Sequence, residues 1–265
     1  MIKRQYDFKV KDEAFRDGTH VMGIINATPD SFYSGSRVKH NAADIARSMI
    51  ANGARILDIG GQSTRPGALS VSSLEEMSRI LPVIEEIRAE FCDIPISVDT
   101  FYPDVAQAAI DAGADMINDV SNLAYEGMAQ VIAANGVSVC VMHDRRASSL
   151  PDMFADKEIG LQNSIDKLLS AGVEKNRILL DGGIGFNKGK DEDWSLLNGY
   201  DKLLDAFLEY PFLLGTSRKS MFGGEVENRL SATLDSTVLA VKQGVLFVRV
   251  HDVNENKAVI DSYIK

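Results

Sequence analysis

The stretch Ile178-Leu179-Leu180-Asp181 runs directly into Gly182-Gly183-Ile184-Gly185 and contains the unit that decides the fold. A short apolar run ends at a polar or ionisable residue, and a loop and a helix-like stretch follow. Parallel strands that are buried on both faces read as continuous apolar runs of this kind. The unit recurs along the chain, and its apolar runs end at Asn26, Asp58, Asp99, Asn118, His143, Asp181, Ser217 with Lys219, and Arg249 with His251.

The regular alternation of strand-like and helix-like segments predicts an α/β fold, a (β/α)8 TIM barrel in a single domain that spans residues 1–265. In a closed barrel the C-terminal ends of the strands surround one open mouth, so the polar residues at the run ends should meet in space. Ahead of the barrel, residues 1 to about 19 are expected to form a short polar segment or hairpin that closes the barrel bottom, with Asp17-Gly18 as its turn.

Helix boundaries follow from periodicity and from capping residues. Apolar residues at helical spacing predict a helix from about Ser73 to Phe91. Pro103 is expected to open the next helix, because a proline is tolerated at the first helical position. The segment from Asp144 to Asp156 is predicted as a loop, and Lys157 to Gly172 as a helix.

The composition is that of an ordinary globular protein, with 45% hydrophobic and 25% charged residues. No apolar stretch approaches the roughly 18 residues that a membrane helix needs, and the first residues lack the apolar core of a signal peptide. We therefore expect a cytoplasmic protein with no membrane partner. Cys92 and Cys140 lie in or beside apolar segments without metal-type spacing and are expected to be buried free thiols.

The formal net charge of −10 disfavours nucleic acids and anionic membranes as partners, because both favour a basic protein face. Several cations nevertheless fall at the ends of apolar runs, namely Arg65, Arg218, Lys219, Arg249 and His251. An acidic protein that concentrates cations at its barrel mouth is expected to bind an anionic small molecule.

Asp99, Asn118 and Asp181 end three different strands. A carboxylate in the mouth can accept two parallel hydrogen bonds from an amidine-like edge, and a nearby amide can complete the pattern on a heterocycle. The alternative is that each residue caps the helix that follows it. Three such residues together favour a site for a heterocycle.

The segment Thr216-Ser217-Arg218-Lys219-Ser220 places two adjacent cations between hydroxyls, directly after a buried strand. This is the region where barrels often bind phosphate, although a solvated basic loop is the alternative. The glycines from Gly182 to Gly185 indicate a turn that a ligand can approach closely, and on their own they are a weak signal for phosphate. His143 alone is more typical of a structural histidine.

Arg249 and His251 are two residues apart and should face the same side of the last strand. Buried cations need an anionic partner, which could be internal, such as Asp252. Asn26 and Arg65, at two other run ends, could join them around a diphosphate, with Asn26 acting through a bound Mg²⁺.

The chain resembles the dihydropteroate synthases, folate-pathway transferases that join a pterin to para-aminobenzoate. The resemblance covers nearly the whole chain and implies a (β/α)8 barrel, a homodimer and a sulfonamide target. It implies that 6-hydroxymethyl-7,8-dihydropterin diphosphate condenses with para-aminobenzoate to give 7,8-dihydropteroate and diphosphate. Seven motifs carry it, in the family's order: Asn26 to Phe32, Gly60 to Gly67, Ser97 to Thr100, Ile117 to Asp119, Asp181 to Phe186, Ser217 to Ser220 and Arg249 to Asp252.

The resemblance also implies a role for each matching residue. The pterin ring would be held by Asp99, Asn118, Asp181 and Lys219, with Met142 packed beneath it. The diphosphate and its Mg²⁺ would be bound by Asn26, Arg65, Arg249 and His251, of which Asn26 is the metal ligand. The second substrate would be covered by mobile loops with Asp30, Phe32, Thr64, Arg65 and Pro66, and its ring would also meet Phe186, Lys219 and Ser217. The catalytic residues would be Asp30, Arg65, Lys219, Arg249 and His251.

The implied chemistry agrees with these residue types. An aromatic amine is neutral at pH 7 and needs no strong base, whereas a departing diphosphate needs charge stabilisation. Preorganised Arg, His and Lys side chains with Mg²⁺ can supply it. We therefore expect a dissociative substitution through a pterin cation.

The chain departs from the family's usual pattern at several positions. Gln62 stands where Glu is common, Gly182 where Pro is common, and Tyr33-Ser34-Gly35 where Ser-Asp-Gly is frequent. Asp144-Arg145-Arg146 replaces a Met-polar-Gly segment, and the chain ends soon after Ile260, which predicts a short last helix.

Two other functions compete with this one. A methyltransferase that passes a methyl group from methyltetrahydrofolate to a corrinoid protein would need the pterin-binding residues Asp99, Asn118 and Asp181 but no diphosphate pocket. The presence of Lys219, Arg249 and His251 disfavours it. A pterin-binding homologue without catalysis would serve as a binding or regulatory module, and the presence of Asp30, Arg65 and His251 disfavours it.

Overall fold

A computed structural model of the chain describes residues 2–27, 42–62 and 71–264. Eight parallel strands close into a barrel in the order β10-β3-β4-β5-β6-β7-β8-β9, which confirms the predicted TIM barrel. The barrel strands are β3 (His20–Asn26), β4 (Ala54–Gly60), β5 (Ile96–Asp99), β6 (Met116–Asp119), β7 (Ser138–Met142), β8 (Ile178–Asp181), β9 (Phe212–Leu214) and β10 (Phe247–Val250).

Helices lie between the strands and after the last one. They are α1 (Ala42–Ala51), α2 (Ser73–Glu90), α3 (Pro103–Asp111), α4 (Met128–Asn135), α5 (Met153–Ala171), α6 (Lys190–Asn198), α7 (Tyr200–Ala206), α8 (Leu230–Gln243) and α9 (Val253–Ile264). No helix in the described ranges is long and apolar enough to cross a membrane.

The predicted hairpin is present, but its turn was placed wrongly. Strands β1 (Phe8–Val10) and β2 (Glu13–Phe15) pair antiparallel, and the register leaves Lys11-Asp12 as the turn, with Lys11 at φ 55°. Gly18 instead lies in the link to β3. The rings of Phe8 and Phe15 pack on Phe247, at centroid distances of 5.9 and 4.9 Å. The hairpin therefore covers the end of the barrel where the strands begin.

Alternation along the strands explains why polar residues line the mouth. Apolar side chains of the strands form one interior cluster with the hairpin. Residues two positions further along a strand face the same way and lie one layer nearer to the mouth. Such pairs are Ile56 and Asp58, Met116 and Asn118, Cys140 and Met142, Leu179 and Asp181, and Phe247 and Arg249.

One helix boundary also differs from the sequence prediction. Helix α5 begins at Met153, because Asp152 accepts a hydrogen bond from the Ala155 N–H at 3.1 Å and caps it. Two helices, α6 and α7, lie between β8 and β9. Pro103 opens α3 as predicted.

The two cysteines are free, but only one is buried. Cys140 lies inside the barrel, where burial raises the pKa of its thiol. Cys92 is exposed, contrary to prediction, because it follows the end of α2 in the turn before β5.

Candidate active site

An ion-pair cluster lies at the mouth ends of β4, β5 and β10. Asp58 is fully buried, and its Oδ1 accepts a hydrogen bond from the Ser97 hydroxyl at 2.6 Å. Its Oδ2 accepts from the Arg249 Nε at 2.5 Å and from the Asn118 amide at 3.4 Å. The Arg249 Nη2 also donates to Asp99 Oδ2 at 2.7 Å. Arg249 therefore joins two carboxylates from neighbouring strands.

This cluster shifts the proton affinities of its members. Burial raises the pKa of Asp99, and the positive charge of Arg249 opposes that rise. Burial lowers the pKa of Arg249, but Asp58 and Asp99 outweigh this and the pKa is raised overall. Arg249 is thus a permanent cation within the mouth.

Sequence reasoning assigned no role to Asp58, although it ends an apolar run. The sequence pattern could have indicated it, since Asp58, like Asn118 and Asp181, follows an apolar residue of the barrel interior by two positions. A second correction concerns Asp252, which was suggested as an internal partner of Arg249 and His251. Asp252 instead accepts two hydrogen bonds from the guanidinium of Arg218, at 2.9 and 2.7 Å.

Asp181 is buried at the end of β8 and is held by the glycine turn that follows it. Its Oδ1 accepts from the Gly183 N–H at 2.7 Å. Burial raises the pKa of Asp181, and Lys219, the Gly183 N–H, Lys157 and Arg249 oppose the rise in that order. The predicted pterin residues Asp99, Asn118 and Asp181 lie at the ends of β5, β6 and β8, and Arg249 bonds Asp99 and lies close enough to influence Asp181.

The structure explains why glycine stands at position 182. The Gly182 N–H donates to the Tyr200 hydroxyl at 2.8 Å, and that hydroxyl donates to the Leu213 carbonyl at 2.5 Å. A Cβ at position 182 would lie 2.4 Å from the Tyr200 ring. Proline lacks the N–H and would collide with the ring, so Tyr200 requires glycine at this position.

Lys219 reaches the same glycine turn from the loop after β9. Its ammonium group donates to the Ile184 carbonyl and lies 5.0 Å from the centre of the Phe186 ring. Burial lowers the pKa of Lys219 to about 8, and Asp181 opposes the decrease. Met142 is buried and packs where a Cβ on Gly183 would be, with its Cγ 3.0 Å from that position. Lys219, Phe186 and Met142 thus surround the turn that carries Asp181.

Ser217 follows β9, His251 follows β10, and the two residues contact each other. The His251 N–H donates to the Ser217 Oγ at 3.1 Å, and that Oγ lies 2.9 Å from His251 Nδ1. Asn26 is exposed at the end of β3, the strand beside β10. His143 lies 3.3 Å from the Asn122 amide and 3.4 Å from Asp156, which is consistent with the structural role predicted for it.

Five predicted site residues lie outside the described residues. They are Asp30, Phe32, Thr64, Arg65 and Pro66. Their assigned roles stay predictions.

The segment that leads to residue 63 is attached to α2. The Gln62 amide donates to Glu76 Oε2 at 3.0 Å, and Arg79 donates to the Gly61 carbonyl at 2.8 Å. Glu76 is fully buried, and burial, aided by the charge of Asp99, raises its pKa to about 8. The amide of Gln62 suits this neighbour because it donates a hydrogen bond to Glu76. A carboxylate at position 62 would have no hydrogen to donate and would face a second carboxylate.

The unusual fifth loop is fixed by its arginines. The side chain of Arg145 is 1% exposed, and its guanidinium donates to Glu192, Asp156 and the carbonyls of Leu150 and Pro151. These bonds use all five N–H donors of the guanidinium. Arg146 lies 4.8 Å over the Phe186 ring. The loop is therefore tied to α5 and α6 and covers one face of Phe186.

A parallel barrel with buried carboxylates, an amide and half-buried cations at or just after the strand ends defines a TIM-barrel protein whose site lies at the C-terminal mouth. Residues 22–251 match the family model described as pterin binding enzyme. The chain is 43% identical over 260 residues to a dihydropteroate synthase of Clostridium beijerinckii, covering 94% of this chain and 95% of that one. It is 41% identical to a dihydropteroate synthase of Bacillus subtilis, covering 91% and 86%. The chain therefore belongs to the pterin binding enzymes and, within them, to the dihydropteroate synthase family.

Solved structures agree with this assignment. The Clostridium difficile dihydropteroate synthase, determined in the presence of pteroic acid, has a TM-score of 0.86 and 41% identity, with 92% of this chain and 95% of that one covered. The Xanthomonas albilineans dihydropteroate synthase with 4-aminobenzoic acid has a TM-score of 0.89 and 36% identity, with 99% and 98% covered. The family and the transferase class that the motifs predicted are thus confirmed.

Proposed function

We propose that this chain condenses 6-hydroxymethyl-7,8-dihydropterin diphosphate with para-aminobenzoate to give 7,8-dihydropteroate and diphosphate. The observation that carries the proposal is the gathering of Asp99, Asn118, Asp181, Lys219 and Arg249 at one barrel mouth. Relatives were solved with pteroic acid, with 4-aminobenzoic acid and, in Yersinia pestis, with a sulfonamide drug, which supports the same ligands and a sulfonamide response here.

Asp181 is the anchor for the amidine-like edge of the pterin. One of its oxygens accepts from the Gly183 N–H, which fixes the carboxylate in the turn. Its Oδ2 lies 3.7 Å from where a Cβ on Gly215 would be, so that glycine leaves space beside it. A carboxylate held in this way can accept from a ring N–H and an exocyclic amine together. Asn118 and Lys219 would complete the contacts, and Met142 would pack against the ring.

Arg249 and His251 would stabilise the diphosphate as its bond to the pterin breaks. Arg249 stays charged because Asp58 and Asp99 raise its pKa. Preorganised charge of this kind is commonly the largest catalytic contribution. The amine is neutral and attacks the pterin carbon without a strong base, which favours a dissociative substitution. Ser217 would hold the His251 ring in place through the contact at 2.9 Å.

We also propose that Mg²⁺ binds together with the diphosphate. No cluster of three His, Cys, Asp or Glu side chains suited to a metal occurs among residues 2–27, 42–62 and 71–264. The exposed amide of Asn26 nevertheless fits Mg²⁺, which often binds through one or two protein oxygens, substrate phosphates and water. The bound ion would neutralise charge that develops on the leaving diphosphate.

The quaternary structure and location complete the proposal. We propose a single-domain chain that forms a homodimer in the cytoplasm, with no nucleic-acid or membrane partner. Light scattering coupled to size-exclusion chromatography measures the mass, and a species of one chain at working concentration contradicts the dimer.

The reaction is tested with purified protein, dihydropterin diphosphate, para-aminobenzoate and Mg²⁺. We expect diphosphate release that requires the amine, stops with EDTA and returns with excess Mg²⁺. Methyl transfer from methyltetrahydrofolate to a corrinoid protein is the control for the competing transferase and should be absent. A folded protein that binds pterin but releases no diphosphate would refute catalysis and leave a binding module.

A further inference from the structure

Lys157 is a fully buried lysine that none of the roles above uses. It lies in the inward stripe of α5, between the buried residues Met153, Gly160 and Leu161. Its ammonium group donates to the His143 carbonyl at 3.0 Å. Charged lysines are almost never fully buried unless they are paired, and no salt bridge to Lys157 occurs among the described residues. The free-energy cost of burying this ammonium group points to a function.

The residues around Lys157 connect it to the turn that holds Asp181. Helix α5 approaches the end of β7 so closely that a Cβ on Gly160 would lie 2.2 Å from the His143 ring. The His143 carbonyl that Lys157 holds lies 2.9 Å from where a Cβ on Gly183 would be. Gly183 donates to Asp181, and Asp181 pairs in register with Met142 on β7. Lys157 thus lies behind the two strand ends that carry the pterin anchor.

We propose that Lys157 is a positioning residue that supplies positive charge behind Asp181 and holds the turn around it ready to bind a pterin. The proposal rests on the proposed function of Asp181. Lys219 and Arg249 face the site from the loop after β9 and from β10, whereas Lys157 supplies its charge from the helix behind β7 and β8. The Gly183 N–H is the fixed donor, and Tyr200 and Cys140 are neutral neighbours whose pKa values are raised by burial and by Asp181.

The electrostatics of Lys157 support this geometry. Burial lowers the pKa of Lys157 to about 8, and Asp181 is the strongest influence that raises it again, ahead of Asp144 and Asp156, while Arg145 lowers it. The amine is therefore still mostly protonated at pH 7. Its desolvation disfavours the folded state, and this offsets the hydrogen bond to the His143 carbonyl that Lys157→Met removes, so the variant should be about as stable as the wild type. A residue that supports binding without adding to stability is expected at a functional site.

The test compares Lys157→Met with Lys157→Arg, which keeps the charge, and with Lys167→Met, which removes a charge from an exposed position of the same helix. Pterin binding is measured by isothermal titration from pH 5.5 to 7.5, and stability by urea unfolding. In the wild type, affinity should decrease as Asp181 becomes protonated. In Lys157→Met this decrease should begin at higher pH, with binding about threefold to tenfold weaker at the acid end. The other two variants should follow the wild type.

Three outcomes overturn the proposal. The first is a pH profile of pterin affinity in Lys157→Met that equals the wild type, which assigns Lys157 no role. The second is an equal loss of affinity at every pH, and the third is a Lys157→Met variant clearly less stable than the wild type. Both of these assign Lys157 only a structural role. Failure of the proposed function is separate, because it appears as a wild-type protein that does not bind pterin.

Discussion

Glu76 makes the stability of this protein depend on pH, and Glu76→Gln should remove that dependence. The side chain is fully buried on α2 beneath the segment that leads to Thr64 and Arg65. Its Oε2 accepts from the Gln62 amide, whereas its Oε1 has no hydrogen-bond partner among the described residues. A carboxylate in this position is poorly solvated, which is why its pKa is raised from 4.5 to about 8.

The magnitude follows from linkage. Between pH 4.5 and about 8 the native protein keeps the proton on Glu76 and the unfolded chain has lost it. The native state therefore binds more protons, and the free energy of unfolding decreases as pH rises, by about 1.4 kcal/mol per pH unit from this group. The shift of about 3.5 units corresponds to a total of about 5 kcal/mol, which is fully lost above pH 8. Glutamine keeps the oxygen that accepts from Gln62 and has no proton to lose.

The assay is urea unfolding of wild type, Glu76→Gln and Glu85→Gln at pH values from 5 to 9. Glu85 is an exposed carboxylate on the same helix and serves as the matched control. We expect the stability advantage of Glu76→Gln over wild type to grow with pH and to level off above about 8. The Glu85→Gln curve should run parallel to the wild type. If the Glu76→Gln curve is also parallel, Glu76 is ionised in the native protein and the reasoning is refuted.

Three further predictions concern the mouth. The pKa of Lys219, lowered to about 8, predicts that kcat/KM decreases as pH rises through about 8, and Lys219→Arg should move this decrease to higher pH in a pH-rate profile. Arg249→Ala should lower kcat at saturating substrate, and an unchanged kcat argues against its catalytic role. The same variant should reduce the free energy of unfolding by about 3–5 kcal/mol, because two buried carboxylates lose their cation. Tyr200→Phe should lower stability by about 1–3 kcal/mol in urea, since two buried backbone groups lose their partner.

Much of the fold was predictable because both faces of each barrel strand are buried. The continuous apolar runs located the eight strands, and the alternation of side chains placed Asn118 and Asp181 in one mouth. The N-terminal hairpin turn was misplaced because Asp17-Gly18 is the stronger turn signal, while the actual turn uses Lys11 in a left-handed conformation.

Contacts between distant segments could not be predicted from the sequence. The pairing of Arg218 with Asp252 depends on where two loops lie in space, and so does the burial of Arg145. Lys157 was missed for a related reason. The sequence prediction started α5 at this residue, where a lysine is unremarkable, but the helix starts four residues earlier, and Lys157 belongs to its inward stripe.

The charges in the mouth and directly behind it indicate that a diphosphate substrate needs further positive charge. Asp58, Asp99 and Asp181 are balanced in formal charge by Arg249, Lys219 and Lys157. A neutral pterin ring can therefore enter without disturbing the balance, whereas its diphosphate adds negative charge that these residues do not offset. In the proposed function, this balance would come from His251, from Arg65 and from Mg²⁺ at Asn26. When the diphosphate leaves in the proposed reaction, the same carboxylates would remain beside the pterin cation and would stabilise it.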